Sequence, residues 1–473
     1  MRSEWSEVQI SEVCELIVDC VNKTAPKVDE VTPFKMIRTT NVRHGRVDTS
    51  DCKYVTEEVF EKWTRRAKVL PKDVLLTREA PIGEVGMIRQ NENLFLGQRI
   101  MQYRADRTKL IPEFLLYSFQ SNYMQHQIRM HEGSGSVVSH IRVPDCLKFN
   151  IKLPPLPEQK AIAHILGTLD DKIELNRQMN ETLEEMAQAL FKSWFVDFDP
   201  VIDKALAAGH DIPEPLQQKA EKRKSVPEEQ KLIRTNPQFG DSHEPVEWPD
   251  SFTFTEELGW IPEGWEVTEI RELVSKVSKG TTPRKNEIID LDEVIPFLKA
   301  RDISDDGTIS SELDMIPEEV HLSSLKRSIL ESGDLLITIA GTIGRIAQLP
   351  VSLNNSNCNQ AIAFIRLKDK SQYNNLVLFT LKSDFTFRFI SEKIVQAVQA
   401  NISLETVNSI LVCIPEYHIL KHWNALSDPI MDRIRANKEE NSVLSSLRDT
   451  ILPKLISGEL RVPEAAQIIA DHV

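Results

Sequence analysis

Cysteine is scarce in this chain, six in 473 residues. Cys14, Cys20, Cys52, Cys146, Cys358 and Cys413 lie far apart with no CxxC pair, which argues against a disulfide framework and against a structural metal. Buried thiols in a reducing cytoplasm are expected instead. No apolar run reaches the roughly 18 residues of a membrane span. Acidic residues interrupt the opening MRSEWSEVQI too early for a signal peptide. Neither a GxxxxGK[ST] phosphate loop nor a GxGxxG after a strand is present. No HExxH or His/Cys cluster has metal-ligand spacing, and of the eleven scattered histidines only His140, in GSGSVVSHIR, sits in a candidate site loop. These absences leave a chain that reads as no enzyme.

Two fragments imitate catalytic motifs. Pro144-Asp145 followed by Glu158-Gln159-Lys160 satisfies the loose PD…ExK pattern of Mg²⁺-dependent nucleases. Those carboxylates belong on adjoining strands, whereas this ExK opens a long helical pattern. Asn236-Pro237-Gln238-Phe239 resembles the NPP[YF] loop that holds a flipped base in amino-methyltransferases, but it lacks the second proline and no cofactor-binding unit precedes it.

What is present begins with length. At 473 residues, 41% hydrophobic and 27% charged, the chain is a globular protein of two or more domains. Its formal net charge of −14 counts at first against nucleic acid. The acidity is local, however: residues 1–160 carry 24 basic and 21 acidic side chains, and residues 197–265 carry 7 and 15.

From Pro157 to Phe195 apolar or small residues recur every seventh position in two columns. Ile162, Leu169, Leu183 and Leu190 form one; Leu166, Ile173, Ala187 and Trp194 form the other. A period of 3.5 is the signature of a helix packed lengthwise on another helix, and about 38 residues would make a rod of roughly 57 Å. Asn176 and Asn180 interrupt the seam, one in each column, as residues that fix register do.

The partner helix lies in the same chain. DVLLTREAPIGEVGMI (Asp73 to Ile88) aligns with DLLITIAGTIGRIAQL (Asp334 to Leu349) at an offset of 261. The same offset carries Glu57-Glu58-Val59 onto Glu318-Glu319-Val320, and Leu153-Pro154 onto Ile414-Pro415. Trp5 and Ile10 match Trp265 and Ile270 with one residue less. A two-copy repeat this long is a duplicated domain rather than a solenoid. In each copy a mixed lobe with short β-rich runs precedes the helix, and Gly83 and Gly344 mark a tight turn after one such run. Shifting the first seam places Trp423, Ile430, Leu444 and Ile451 in one column and Ile434 and Leu455 in the other. Asn176 and Asn180 map onto Asn437 and Asn441. Ser427 and Arg448 replace Leu166 and Ala187, while Pro429, preceded by Asp428, and Pro453 should start, bend or end this second helix.

The expected architecture is therefore α+β: two mixed α/β lobes related by pseudo-twofold symmetry and separated by two long antiparallel helices. The boundaries are lobe one at 1–156, first helix at 157–196, connector at 197–260, lobe two at 261–415, second helix at 416–461 and a tail at 462–473. The connector, rich in Pro, Glu and Lys, reads as solvated and partly disordered with one helix near Leu216 to Lys224.

Basic and amide side chains in loops of both lobes form a candidate nucleic-acid face. Lobe one offers Arg38, Arg43, Arg46, Arg78, Arg99, His140 and Arg142, with His44, Arg65, Arg66 and Lys68 nearby in sequence. Lobe two offers Lys299, Arg301, Arg345, Asn359, Gln360, Gln399 and Asn401. Arg reads guanine bidentately, Asn and Gln read adenine, and Lys or Arg neutralise phosphates. Any one of them alone is equally explained as solvated surface.

The stretch LPPLPEQKAIAHILGTLDDKIELNRQMNETLEEMAQALFKSWFVDFDPV resembles the central conserved region of type I restriction-modification specificity subunits. GWIPEGWEV (Gly259 to Val267) resembles the start of their second target-recognition domain, and LRDTILPKLISGELRV (Leu447 to Val462) the end of their second conserved helix. DLLITIAGTIGRIA and NCNQAIAFIRL are also similar to segments of such domains. The resemblance runs end to end and in order. It implies a non-catalytic, cytoplasmic reader of double-stranded DNA, with one lobe for each half of a bipartite, asymmetric site and helices that space the halves. It implies two methyltransferase subunits docked on the helices, with restriction-translocase subunits beside them. S-adenosylmethionine, ATP and Mg²⁺ would belong to those partners and no cofactor to this chain. Sequence varies with the site read inside such lobes, so the arginine and amide residues above rest on chemistry and loop position. The acidic balance keeps a second possibility open, a scaffold whose lobes grip proteins.

Overall fold

Val74–Thr77 and Leu335–Thr338 are buried along their whole length, as β-branched and leucine runs are when both faces of a strand are covered. Each lies inside the main sheet of its lobe. The computed structural model describes residues 5–21, 23–130, 140–227, 246–284, 294–395 and 401–471. It divides the chain into two compact units, residues 1–175 with 440–473, and residues 176–439.

In the first unit a six-stranded sheet runs in the order Cys14–Asp19, Ile100–Ala105, Val74–Arg78, Ile82–Met87, Gly45–Val47, Val42–Arg43. Its strands pair antiparallel except Gly45–Val47 on Ile82–Met87. A three-stranded sheet of Lys53–Tyr54, Phe34–Ile37 and Asn93–Leu96 contains a second parallel pair. Helices Pro112–Gln120 and Asn122–Met130 bring Phe114, Phe119, Met124 and Ile128 into the same core as Val74, Leu76 and Tyr103. Ser6–Gln9 pairs with Asn150–Leu153 just before the first long helix begins.

The second unit repeats this plan. Its main sheet orders Val274–Lys279, Ile362–Leu367, Leu335–Thr338 and Ile346–Gln348, and its smaller sheet orders Asp314–Pro317, Val294–Leu298 and Asn357–Cys358. Glu266–Glu269 pairs with Leu411–Ile414, as the equivalent strands do in the first unit. The offset of 261 holds at the level of single bonds. Thr77 Oγ1 donates to Pro81 O (2.6 Å) and accepts from Glu84 N (3.0 Å). Thr338 Oγ1 likewise donates to Thr342 O and accepts from Arg345 N (2.9 Å). The turn glycines Gly83 and Gly344 have φ of +83° and +88°, the left-handed region a side chain avoids. Asp73, buried, holds Arg104 at 2.8 Å, and Asp334, buried, holds Arg366 at 2.7 Å and Lys370 at 3.0 Å.

The long helices span Leu156–Phe191 and Tyr417–Ser457. In the first unit Leu166 and Leu169 share a core with Leu444, Ile451 and Leu455. Arg448 pairs with Asp170 at 2.9 Å and Asn441 Nδ2 donates to Ile173 O at 3.2 Å. In the second unit Ala187 and Trp194 share a core with Trp423 and Ile434, the two tryptophan rings lying 6.2 Å apart. Rising numbers on one helix meet falling numbers on the other within each unit, so the pair is antiparallel there. The two odd seam residues have their own partners: Arg448 has Asp170, and Ser427, buried, accepts from Asn375 Nδ2 at 3.0 Å.

Two expectations are corrected. Asp428 and Pro429 neither begin nor end the second helix, which runs unbroken through them and through Pro453. Burial of Trp423, Leu426, Met431 and Ile434 on both sides of Pro429 offsets the bond a helical proline removes. Nor is the connector simply solvated. Asp199–Ala208 and Gln217–Lys224 are helices, and Val201, Ile202, Ala205, Leu216 and Ala220 are buried. Arg223, also buried, meets Asp203 through Nε at 3.0 Å and Asp199 at 3.6 Å. Trp248 packs edge-on against Trp194 at 4.8 Å. Asn236–Phe239 lie outside the described residues. None of the six cysteines is paired, and burial pushes the Cys358 thiol up to about 12.

Among the described residues no helix is long and apolar enough to cross a membrane, and no group of three or more His, Cys, Asp or Glu could hold a metal ion. Glu158, of the ExK fragment, accepts from Trp5 Nε1 and from Arg461 Nη1, both at 3.2 Å. Its carboxylate ties the start of the first long helix to both ends of the chain's first unit.

Candidate nucleic-acid interface

Four loop segments of lobe one are stitched together by backbone and side-chain bonds. After strand Phe34–Ile37 the chain makes a tight turn at Thr39–Asn41, capped by Asn41 Oδ1 accepting from Arg38 N at 2.8 Å. Gly97 N donates to Ile37 O at 2.7 Å, and Thr39 Oγ1 to Ala80 O at 3.0 Å. Arg78 N donates to Arg99 O at 2.8 Å and Ile141 N to Arg78 O at 3.0 Å. The loops carrying Arg38, Arg43, Arg78, Arg99, His140 and Arg142 thus converge on one end of the lobe.

Most of these cations are held. Arg38 Nη2 meets Asp51 Oδ2 at 2.5 Å and Asp51 O at 2.8 Å. Arg99, half-exposed and with φ of +70°, pairs with Glu79 at 2.8 Å. Arg78 Nη1 donates to Ile141 O at 2.9 Å, and Arg43 Nη1 to Val42 O at 2.9 Å and Thr39 O at 3.3 Å. His140 and Arg142 flank Ile141 and are exposed. Arg46 goes elsewhere. Its guanidinium lies on the first long helix, 3.1 Å from Asp170 O, 3.7 Å from Glu174 and 3.9 Å from Asp171. Burial there draws its pKa below the ordinary value. Arg66 meets Asp19 and Cys20 O (2.9 Å), while Arg65 and Lys68 are exposed.

Lobe two is built in the same way with other side chains. Asp302 Oδ2 caps the turn by accepting from Lys299 N at 2.7 Å, the counterpart of Asn41 and Arg38. Asn359 N donates to Leu298 O and Ile402 N to Ile339 O, both at 2.9 Å. Thr342 Oγ1 reaches Ala300 O at 3.4 Å. Lys299 and Arg301 both pair with Asp314, Arg301 at 3.3 Å. Arg345 Nε meets Asp305 at 2.6 Å while its Nη1 donates to Ile303 O at 2.8 Å. Asn359 Oδ1 accepts from Ala361 N at 3.1 Å, and Gln360 Oε1 accepts from Thr282 Oγ1. Asn401 is exposed beside buried Ile402. Gln399 lies outside the described residues.

The recurrent feature is a guanidinium or ammonium fixed by a carboxylate at the loop end. Such a pair orients the planar fork and leaves its other N–H groups available for a base edge or a phosphate. Reading for basic residues alone missed the carboxylates Asp51, Glu79, Asp305 and Asp314. One signal was available: an aspartate follows both Arg38 and Arg301 by thirteen residues. The asparagines that interrupt the two seams lie on the long helices. Asn437 Nδ2 donates to Asn180 Oδ1 at 2.8 Å, Asn180 Nδ2 to Ile434 O at 3.3 Å, and Asn176 is buried.

A family model described as the type I restriction modification DNA specificity domain matches residues 2–185 and again residues 262–444. The type I restriction enzyme HindI specificity subunit of Haemophilus influenzae is 26% identical over 381 residues, covering 78% of this chain and 82% of that protein. The MjaIX specificity subunit of Methanocaldococcus jannaschii is 25% identical over 419 residues, covering 87% and 82%. The crystal structure of a type I restriction-modification S subunit from M. genitalium aligns with a TM-score of 0.51 at 15% identity, over 95% of this chain and 96% of that one, and so shares its fold.

Proposed function

The chain belongs to the type I restriction-modification DNA specificity family, and from that premise we propose that it reads a bipartite, asymmetric DNA site, one half with each lobe. The observation that supports this most directly is the pair of loop ends. They share turn, cap and strand pairing, yet one presents Arg38, Arg43, Arg78 and Arg99 where the other presents Lys299, Arg301, Arg345 and Asn359. A common scaffold with different polar edges suits two different base sequences.

On this reading the chain performs no chemistry itself. Two methyltransferase subunits and restriction-translocase subunits would supply it in the cytoplasm, carrying S-adenosylmethionine, ATP and Mg²⁺. The carboxylate partners at the loop ends account for part of the acidic balance, which otherwise favours a scaffold that grips proteins. Co-expression with type I methyltransferase subunits, followed by sequencing of methylated adenines, should return one split motif. Failure to co-purify with them, or methylation without a split motif, would overturn the proposal. Binding by the assembled complex should weaken steeply as salt rises; a flat dependence would favour the scaffold.

A further inference from the structure

The hairpin after the capped turn differs between the lobes in a way that points to one base-reading residue. In lobe one Val42 pairs with Val47 and Arg43 with Arg46, leaving a two-residue tip, His44 and Gly45, with φ of +49° and +79°. In lobe two Ile303 bridges Ile309, Ser304 N donates to Thr308 O at 2.9 Å, and the tip is three residues, Asp305 to Gly307, with Gly307 at φ +74°. These are the two-residue and glycine-bulged three-residue forms of one hairpin. The bonds that close it are equivalent, Asp48 N to Asn41 O and Ser310 N to Asp302 O, both 2.8 Å.

The offset of 261 sets Asp305 against His44, and Arg345 against Glu84. Where the lobe-one tip carries an imidazole, the lobe-two tip carries a carboxylate. Asp306 is consumed by the turn, accepting from Thr308 N at 3.0 Å and Thr308 Oγ1 at 2.9 Å. Asp305 is not. Its side chain is 88% exposed, Arg345 Nε holds Oδ1 at 2.6 Å, and Oδ2 has no hydrogen bond among the described residues. Arg345, anchored on Ile303 O, fixes the carboxylate at the tip.

We infer that Asp305 is a specificity-determining residue of lobe two, its Oδ2 accepting from the exocyclic amino group of an adenine or cytosine in that lobe's half-site, with Arg345 as its positioning residue. Phosphates repel a carboxylate, and only adenine N6 and cytosine N4 offer it an amino donor in the major groove. The inference rests on the function proposed above and adds which tip reads and with what polarity.

The test uses the full chain co-expressed with methyltransferase subunits, reading methylated motifs by long-read sequencing. Asp305→Asn and Asp305→Ala should each relax discrimination about tenfold or more at one base position of one half-site, leaving the other half unchanged. Arg345→Ala should relax the same position, and the double variant should add nothing. His44→Ala should alter only the opposite half. If the unsubstituted chain yields no split motif, the functional reading fails. If it does and both Asp305 variants methylate that same motif with unchanged selectivity, this inference fails.

Discussion

Asn437 Nδ2 donates to Asn180 Oδ1 at 2.8 Å, and Asn180 Nδ2 passes a bond on to Ile434 O at 3.3 Å. In the first unit the equivalent Asn441 donates to Ile173 O at 3.2 Å. The offset of 261 exchanges the two bonds to carbonyls, donor for donor and acceptor for acceptor. An apolar seam tolerates sliding by a heptad, whereas an asparagine that must find one carbonyl does not.

Asn437→Leu should therefore destabilise the chain by about 1–3 kcal/mol, because it removes a partner from Asn180. Asn180→Leu with Asn437→Leu should recover part of that loss. Denaturant unfolding of the four chains makes the cycle; simple additivity of the two single costs would show that the amides are not coupled.

Pro429 stands exposed inside an unbroken helix. An interior proline costs about 3 kcal/mol in helix formation, and the tighter unfolded chain it leaves returns some of this. Pro429→Ala should raise the unfolding free energy of the second unit by about 1–3 kcal/mol. A lower melting temperature would mean that the helix is built around the missing N–H.

The buried carboxylates Asp73 and Asp334 are the deepest charges of their lobes. Asp334→Ala would strand Arg366 and Lys370, and about 3–5 kcal/mol should be lost. Asp73→Ala should cost a similar amount through Arg104. Chemical denaturation followed by tryptophan fluorescence measures both, and a loss under about 1 kcal/mol would show that solvent already screens the pairs.

His321 is buried in lobe two, Nε2 donating to Asn355 Oδ1 at 3.3 Å and Nδ1 accepting from Asn357 Nδ2 at 3.1 Å. Burial lowers its pKa below the ordinary 6.5. The unfolded chain then binds the proton first as pH falls, so this contribution is intact above about 6.5 and declines below it. His321→Gln should flatten the stability profile below about pH 6.5. An unchanged slope would place the acid sensitivity elsewhere.

Arg43→Ala should weaken discrimination in one half of the DNA site by about 1–3 kcal/mol and spare the other. Competition binding of the assembled complex to DNA with either half scrambled reads the two effects separately. A change in both halves would contradict the division of labour between the lobes.

By itself the sequence determined the duplication, the two seams and the asparagines that interrupt them, because heptad spacing and a constant offset are local, periodic signals. It also located the loops that converge at each lobe end. Tertiary structure alone decided what the charged side chains do there. Arg46 turns to a helix whose Asp170 lies 124 residues on, and Arg345 holds Asp305. It likewise decided that the acidic connector folds, since Val201 and Trp248 gain their burial from the Trp194 and Trp265 cluster, and that Pro429 sits within a helix. Ion pairs and burial depend on neighbours distant in sequence, and no pattern of residue types along the chain states which neighbours those are.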